Sequence, residues 1–274
     1  MSVVRLPVSP RWVGRAQGWL RGVGAAAAEL CYPVRCWGCG ERWPGAGEWL
    51  CGECQAALVG HGMIRCGRCG QFVGPGALVG GGCWECERQS WGFAAAVAAV
   101  PYGEVARDMV HRLKYGRQDY LARLMGAFMA EVARQERLEV LCDRVVWVPL
   151  HWRRRLARGY DQAELLAGEV SRRLGLALAR RAVVRRRPTA PQAGLSRSSR
   201  RQNVAGSFQV TRAKKLRQQT VLLVDDVLTT GATADACSRA LAEAGVRRVF
   251  ALTFARAGKP LAAGVATAEE PIDV

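Results

Sequence analysis

The stretch "VLLVDDVLTTGAT", residues 221–233, constrains the fold of this 274-residue chain more than any other. Four apolar residues, Val221 to Val224, run into two adjacent carboxylates, Asp225 and Asp226. An apolar run this short reads as a central strand covered on both faces. The following "GATADACSRALAEAG" is rich in Ala and Leu and stops at Gly245, as a helix would. The turn at 226–231 therefore joins the carboxyl end of a strand to the start of a helix. Helix starts present free N–H groups and a positive dipole end, which suit phosphate. Thr229, Thr230 and Thr233 add hydroxyl donors, and Gly231 lets the backbone come close. A carboxylate pair beside such a cradle repels a bare phosphate but accepts hydrogen bonds from a diol. A sugar phosphate explains both halves of the stretch; a capped helix with no ligand is the plainer alternative.

Cysteine placement is the second constraint. Eight of the eleven cysteines form four C-x-x-C pairs: Cys36/Cys39, Cys51/Cys54, Cys66/Cys69 and Cys83/Cys86. Eleven residues separate the first two pairs and thirteen the last two. Two pairs at such spacing close one tetrahedral zinc site with four thiolates, so four pairs predict two structural zinc ions. Glycines within or beside the pairs ("CWGCG", "CGEC", "CGRCG") fit tight knuckles. The segment has few aliphatic residues to bury, so metal would supply much of its folding free energy. A metal-free cluster or redox dithiols are the alternatives. Cys142 and Cys237 read as small buried hydrophobes; Cys31 has no partner at ligand spacing.

Charge is uneven. The formal net charge is +17, and residues 144–217 hold 19 Lys or Arg against Asp161, Glu164 and Glu169, a local +16. Such a block expects phosphate-bearing ligands, pyrophosphate or single-stranded nucleic acid; an arginine-rich solvated surface is the plain alternative. No apolar run is long enough to span a bilayer. The basic stretch 11–30, with Trp12, Trp19 and Leu20, reads as a surface helix, with membrane-surface binding the lesser reading. Arg11, Arg15 and Arg21 interrupt the apolar stretch that an export signal would need, so a cytoplasmic location is expected.

The remaining pattern predicts strands near 93–100, 144–150, 182–185 and 248–256, and helices over 104–116, 120–136 and 162–175, with a polar loop at 186–208. Alternating strands and helices predict an α/β fold with a mostly parallel sheet and helices on both faces. Ligands in such folds sit at the carboxyl ends of the strands, which puts the 149–161 and 225–233 turns at one edge. The expected organisation is an amphipathic helix at 1–30, a double zinc ribbon at 31–90, the α/β domain at 91–258 and a tail at 259–274.

The 221–233 stretch resembles the PRPP-binding signature of type I phosphoribosyltransferases. The resemblance implies that Asp225 and Asp226 hold the ribose hydroxyls of PRPP, with Mg²⁺ bridging diol and pyrophosphate. It also implies that Thr229, Thr230, Gly231, Ala232 and Thr233 hold the 5′-phosphate. "VPLHWRRRLARGYDQAELLA" is similar to the family's pyrophosphate loop, which would use Leu150, His151, Arg153 and Arg158. "TAPQAGLSRSSRRQNVAGSF" resembles the loop that closes over PRPP; there Arg197, Arg200 and Arg201 would neutralise departing pyrophosphate. With the cysteine pairs, residues 30–256 resemble the ComF family, a double zinc ribbon joined to a phosphoribosyltransferase domain and linked to DNA uptake in bacterial transformation. Trp147 stands where that family usually has proline, Ser199 where an acid is common, and Asp161 where Asn is usual; Asp161 is a possible cap of the helix that follows, and it adds a charge expected to weaken pyrophosphate binding. Three functions remain open on this reading. They are phosphoribosyl transfer to an unnamed acceptor, single-stranded DNA handling with other DNA-uptake proteins, and PRPP sensing without catalysis. Trp147, Trp152 and Tyr160 are the base-stacking candidates, although core packing explains Trp147 as well.

Overall fold

A computed structural model describes residues 35–41, 49–59, 62–78, 82–87, 89–187, 204 and 206–258. The expected leading helix at 1–30, Cys31, the loop residues Arg197, Ser199, Arg200 and Arg201, and the tail at 259–274 lie outside the described residues. In chain order the elements are α1 (Gly52–Leu58), β1 (Ile64–Arg65), β2 (Phe72–Val73), α2 (Trp84–Glu87) and β3 (Ala95–Pro101). Next come α3 (Glu104–Tyr115), α4 (Leu121–Gln135), α5 (Leu138–Leu141), β4 (Arg144–Trp147), α6 (Trp152–Arg158) and α7 (Gln162–Leu174). The last are β5 (Ala177–Leu178), β6 (Val183–Arg185), β7 (Phe208–Val210), α8 (Ala213–Leu216), β8 (Thr220–Leu228), α9 (Ala232–Glu243) and β9 (Arg248–Arg256).

Five strands form one parallel sheet in the order β3-β9-β8-β4-β5. Strand side chains alternate between faces. Leu222, Val224, Val145, Trp147, Leu252 and Phe254 therefore share one core with α3, α4 and α7. Val221, Leu223, Val146, Val148, Val249 and Ala251 share the other with α9. Val221 to Val224 are all buried, each contributing about 1.5–3 kcal/mol relative to exposure. Trp147 is a core residue of the first face, buried to 6 % exposure. Among the described residues no helix is long and apolar enough to cross a membrane.

Two local differences from the sequence reading have physical causes. The 149–161 segment, expected as a turn, contains α6, a short helix that buries none of its residues, its apolar Trp152 and Leu156 lying exposed. Its ends are fixed instead by His151 at the N-cap and by Gly159 at φ 88°. The strand at 182–185 does not join the main sheet; it pairs antiparallel with β7.

The cysteine segment is stitched to the sheet edge. The first knuckle pair packs with α3, where Cys36, Leu50, Cys54 and Leu58 share the first core. Arg112 of α3 donates to the carbonyls of Gly38, at 2.6 Å, and Trp37. The second pair meets β3 through the Ala96 N–H, which donates to the Arg68 carbonyl at 3.0 Å.

Arg256 ends β9 and is 2 % exposed. Its Nε donates to the Cys69 carbonyl at 3.1 Å, its Nη1 to Leu228 at 3.0 Å, and its Nη2 pairs with buried Glu85 of α2 at 2.8 Å. The carbonyls of Thr229 and Ala257 also accept from it. Removing one partner of a buried ion pair costs about 3–5 kcal/mol, because the other charge is left uncompensated. Arg256→Met should therefore lower the free energy of unfolding by about that amount, read from the urea midpoint. Adding Glu85→Gln should recover part of the loss; no recovery would refute the ion-pair account.

Candidate functional site

Strand order reverses between β8 and β4, which sends α7 and α9 to opposite faces and opens a crevice at the strands' carboxyl ends. The β4–β8 ladder stops at Trp147 opposite Val224, while β8 stays paired with β9 as far as Leu228 opposite Arg256. Asp225 and Asp226 thus project where one neighbour has ended. They line a cavity of about 450 Å³ with Thr229, Gly231, Ala232, Thr233, Leu150, Arg154 and Arg158. The two segments expected at one edge do meet there.

Consecutive strand residues face opposite ways, so the two carboxylates have different surroundings. Asp226 is 4 % exposed, and its Oδ1 lies 3.5 Å from the Lys114 ammonium of α3. Its Oδ2 is buried and accepts no hydrogen bond among the described residues. Asp225 Oδ1 accepts from the Asp226 N–H at 2.9 Å. Burial, then the charge of Asp226, pushes the Asp225 carboxyl well above its usual range, and Lys114 opposes that rise. Arg185 of β6 also lines the cavity; burial and Arg154 lower its guanidinium, while Asp225 works the other way.

The loop after β8 is shaped by an aromatic ring. Gly231 has φ 75°, and a Cβ there would meet Trp91 Cζ3 at 2.5 Å. Trp91 packs on the second cysteine cluster and stacks on Phe93 at 5.2 Å. The adjacent Gly92 N–H donates to Asp235 of α9 at 2.5 Å. Only glycine can satisfy both the left-handed φ and the close ring. The loop that would cradle an anion is thereby wedged against the cysteine segment.

Asp161, expected as a possible cap, and His151, an expected site residue, both fix backbone. Asp161 is 2 % exposed and accepts from the N–H groups of Leu150 (2.8 Å), Ala163 (3.1 Å) and Glu164 (3.4 Å). It caps α7 and pins the β4 loop at once. Burial raises its carboxyl and the three N–H donors pull it back. His151 is buried at the α6 N-cap, where Nδ1 accepts from the Arg153 N–H at 3.4 Å. Burial and then Arg153, Arg185 and Arg154 lower its imidazole, so the neutral acceptor form persists. His151, Arg153 and Thr230 do not line the cavity. The Arg153 guanidinium lies over the Trp152 ring at 5.3 Å.

Lys114, Tyr115, Arg117, Gln162 and Arg185 line the cavity although the sequence did not single them out. Lys114 lies in the last turn of α3, two residues before the Gly116 cap, where a lysine reads as a partner for the helix dipole. That ordinary explanation hides its contact with Asp226.

The sulfurs of Cys36, Cys39, Cys51 and Cys54 lie within 4.8 Å of one another, as do those of Cys66, Cys69, Cys83 and Cys86. Each set is arranged to hold one metal ion. Cys36 Sγ accepts from the N–H groups of Gly38 (3.3 Å) and Cys51 (3.2 Å). Burial raises the Cys36 thiol, but these donors and the Cys39 N–H bring it down to about 7. A Cβ at Gly38 would sit 2.6 Å from Cys54 Sγ, so the knuckle requires glycine. Cys142 and Cys237 are buried outside both sets; burial lifts the Cys142 thiol to about 12 and Cys237 higher still.

Loss of a helix cap costs about 0.5–2 kcal/mol, and an orphaned buried N–H about 1–3 kcal/mol. Asp161→Ala should accordingly cost about 2–4 kcal/mol in denaturant unfolding. An effect confined to ligand affinity, with the unfolding midpoint unchanged, would contradict the structural role.

Comparison with known proteins gives a consistent result. The phosphoribosyl transferase domain model matches residues 161–266. Competence protein F of Haemophilus influenzae is 32 % identical over 231 residues, covering 82 % of this chain and 98 % of its own. The DNA utilization protein YhgH of Escherichia coli K12 is 31 % identical over 238 residues, covering 80 % of this chain and 96 % of its own. The YhgH protein of Salmonella typhi is 30 % identical over 225 residues, with 80 % and 96 % covered. A looser likeness is to TT1426 from Thermus thermophilus, at 20 % identity and a TM-score of 0.30, covering 52 % of this chain and 86 % of that one. With two four-cysteine clusters ahead of a phosphoribosyltransferase-type parallel sheet, the chain belongs to the ComF family, the homologues of competence protein F and YhgH.

Proposed function

We propose that this chain is a cytoplasmic PRPP-binding protein of DNA uptake, built as a phosphoribosyltransferase on two structural zinc sites. The observation that carries the reading is the crevice chemistry. A carboxylate pair with an unfilled buried oxygen on Asp226 lies beside a glycine-opened helix start, opposite Arg154 and Arg158. A ligand with hydroxyls in its middle and phosphates at its ends matches all three. Asp225 and Asp226 would accept from the ribose diol, the 229–233 backbone and hydroxyls would hold the 5′-phosphate, and Arg154 and Arg158 would receive the pyrophosphate. Bound Mg²⁺ would neutralise pyrophosphate charge, mostly through substrate oxygens. In phosphoribosyl transfer the bond from C1 to pyrophosphate breaks and one to the acceptor forms, and cations at the pyrophosphate stabilise the leaving group. The competence and DNA-utilization names of the relatives supply the DNA-uptake context.

A second reading, handling of single-stranded DNA, draws on α6. There Trp152 is 61 % exposed among Arg153, Arg154 and Arg155, a ring and cations suited to bases and phosphates.

Titration calorimetry with PRPP and Mg²⁺ tests the first reading, and the same titration with single-stranded DNA separates it from the second. Charge-assisted hydrogen bonds contribute about 1.5–3 kcal/mol each, so Asp225→Asn and Asp226→Asn should each weaken PRPP binding about ten- to a hundredfold. Wild-type affinity in the double variant would refute the assignment.

Zinc is the metal proposed for both cysteine sets. Zn–S bonds of about 2.3 Å place tetrahedral sulfurs about 3.8 Å apart. The second set has Sγ separations of 3.4, 3.7 and 3.9 Å. Protein purified without added metal should carry about two zinc equivalents by elemental analysis, the count that two four-thiolate sites require. One equivalent or none would count against the double site.

A further inference from the structure

We infer that Lys114 is a positioning residue of the crevice, the counter-ion that keeps the Asp225–Asp226 pair ionised and aimed while no ligand is bound. The inference rests on the proposed function for the identity of the ligand, but not for its electrostatics.

The geometry comes from two elements that meet at the cavity. Asp226 lies on the α3 side of β8, and Lys114 lies in the last turn of α3. Their side chains are 6 % and 12 % exposed, and Nζ and Oδ1 are 3.5 Å apart. Lys114 is held there by its neighbours. Leu113 is fully buried, its carbonyl accepts from the Tyr160 hydroxyl at 2.5 Å, and Gly116 ends the helix. An ammonium at a helix C-terminus also meets the negative end of the dipole.

The second observation is the idle oxygen. Asp226 Oδ2 is buried and accepts no hydrogen bond among the described residues, although Asp226 lines the cavity. A buried acceptor left unmade costs free energy. It can be filled in three ways, by water in the ligand-free protein, by a donor hydroxyl of a ligand, or by a proton taken up on the pair. A cation seated on Oδ1 disfavours the proton and leaves the oxygen to water or the hydroxyl.

The charged and titratable groups around the pair come from every element packed on it. Lys114 and Tyr102 face Asp226 from α3 and the residues before it. Arg185 of β6, Asp161 at the start of α7 and Cys237 of α9 act on Asp225. Tyr102 and Cys237 are raised by burial first, so both stay neutral and neither neutralises a carboxylate. Asp161 adds a like charge. The cations are Lys114 and Arg185, with Arg117, Arg154 and Arg158 lining the same cavity, and among the described residues Lys114 is the one paired with an Asp226 oxygen.

The sign of the effect follows. Asp225 titrates above its usual range, so the doubly ionised pair is lost as pH falls through that raised value. Lys114 lowers the value; without it the boundary moves to higher pH. An opposite charge within about 4–6 Å moves a carboxyl by about 1–3 units.

Two measurements on the full chain test this, with Lys114→Gln and the conservative Lys114→Arg compared by thermal midpoint for folding. The first is ligand-free. Carboxyl carbons of ¹³C-labelled aspartates are followed against pH, with Asp225→Asn and Asp226→Asn giving the assignments. Lys114→Gln should raise the pH at which the pair takes up a proton by about one unit or more, and Lys114→Arg should restore most of it. An unmoved midpoint in Lys114→Gln overturns the inference. The second is PRPP affinity with Mg²⁺ against pH. Lys114→Gln should weaken binding about tenfold near neutral pH, with the loss shrinking as pH rises, since each unit corresponds to a tenfold change. A loss of equal factor at every pH would make Lys114 a ligand contact only, and overturns the inference. If the wild type binds no PRPP at any pH, the proposed function fails, while the carboxyl titration still decides the role of Lys114.

Discussion

Arg256 is the joint on which the arrangement depends. Arginine stays charged in proteins and offers five N–H donors in a fixed plane, so a buried one needs several acceptors at set positions. Here those acceptors belong to different parts of the chain. They are the Cys69 carbonyl of the second knuckle, Glu85 of α2, and the Leu228 and Thr229 carbonyls where β8 leaves the sheet. Because the guanidinium is planar, these groups are placed relative to one another as well as to β9. Trp91 makes a second, apolar connection between the same regions, from the cysteine cluster to Gly231. The knuckle region is thereby part of the wall behind the anion-suited loop, and does not hang from the α/β domain as a separate appendage.

The sheet explains why the crevice has two chemically distinct sides. Adjacent residues on a strand face opposite ways, so Asp225 and Asp226 meet different neighbours although they are one position apart. Asp226 meets Lys114 on the α3 face, while Asp225 is acted on by Arg185 and Cys237 on the α9 face. A parallel sheet with helices on both faces is what makes this division possible. The carboxylates emerge there because β8 runs past the end of β4, exposing strand polar groups without leaving the protein interior.

The features legible in the sequence were those with local causes. The 248–256 strand, the central strand beginning at Val221, and the helices around 104–116, 120–136 and 162–175 are each marked by an apolar period or a terminating glycine. The cysteine pairing was legible because ligand spacing is itself a local property. What was not legible depends on distant partners. Arg256 meets Glu85 across 171 positions, and nothing near either residue announces the other. Lys114 looked like an ordinary helix end. The α6 helix has no buried face to betray it, and Arg185 reaches the cavity only because β6 leaves the main sheet to pair with β7. Asp161 is legible as a cap of the 162–175 helix and as a charge beside a phosphate loop; that its other oxygen takes the Leu150 N–H, eleven positions back, is not.

The backbone roles of Asp161 and His151 bear on what the crevice can hold. With Asp161 and His151 committed to holding backbone, the 149–161 segment presents a fixed loop and the arginines that project from α6. Lys114, Arg117, Arg154, Arg158 and Arg185 line the cavity against the two carboxylates of Asp225 and Asp226. An anion without a proton, such as chloride or sulfate, would be attracted by these cations, but it carries no donor for buried Asp226 Oδ2. A neutral polyol would supply the donor but leave the cations unmatched. On the proposed reading, a ligand carrying both hydroxyl donors and phosphate charge would satisfy both sides at once. The acidic and basic walls meet where β8 outruns β4, and Arg256 holds the end of β8 in place.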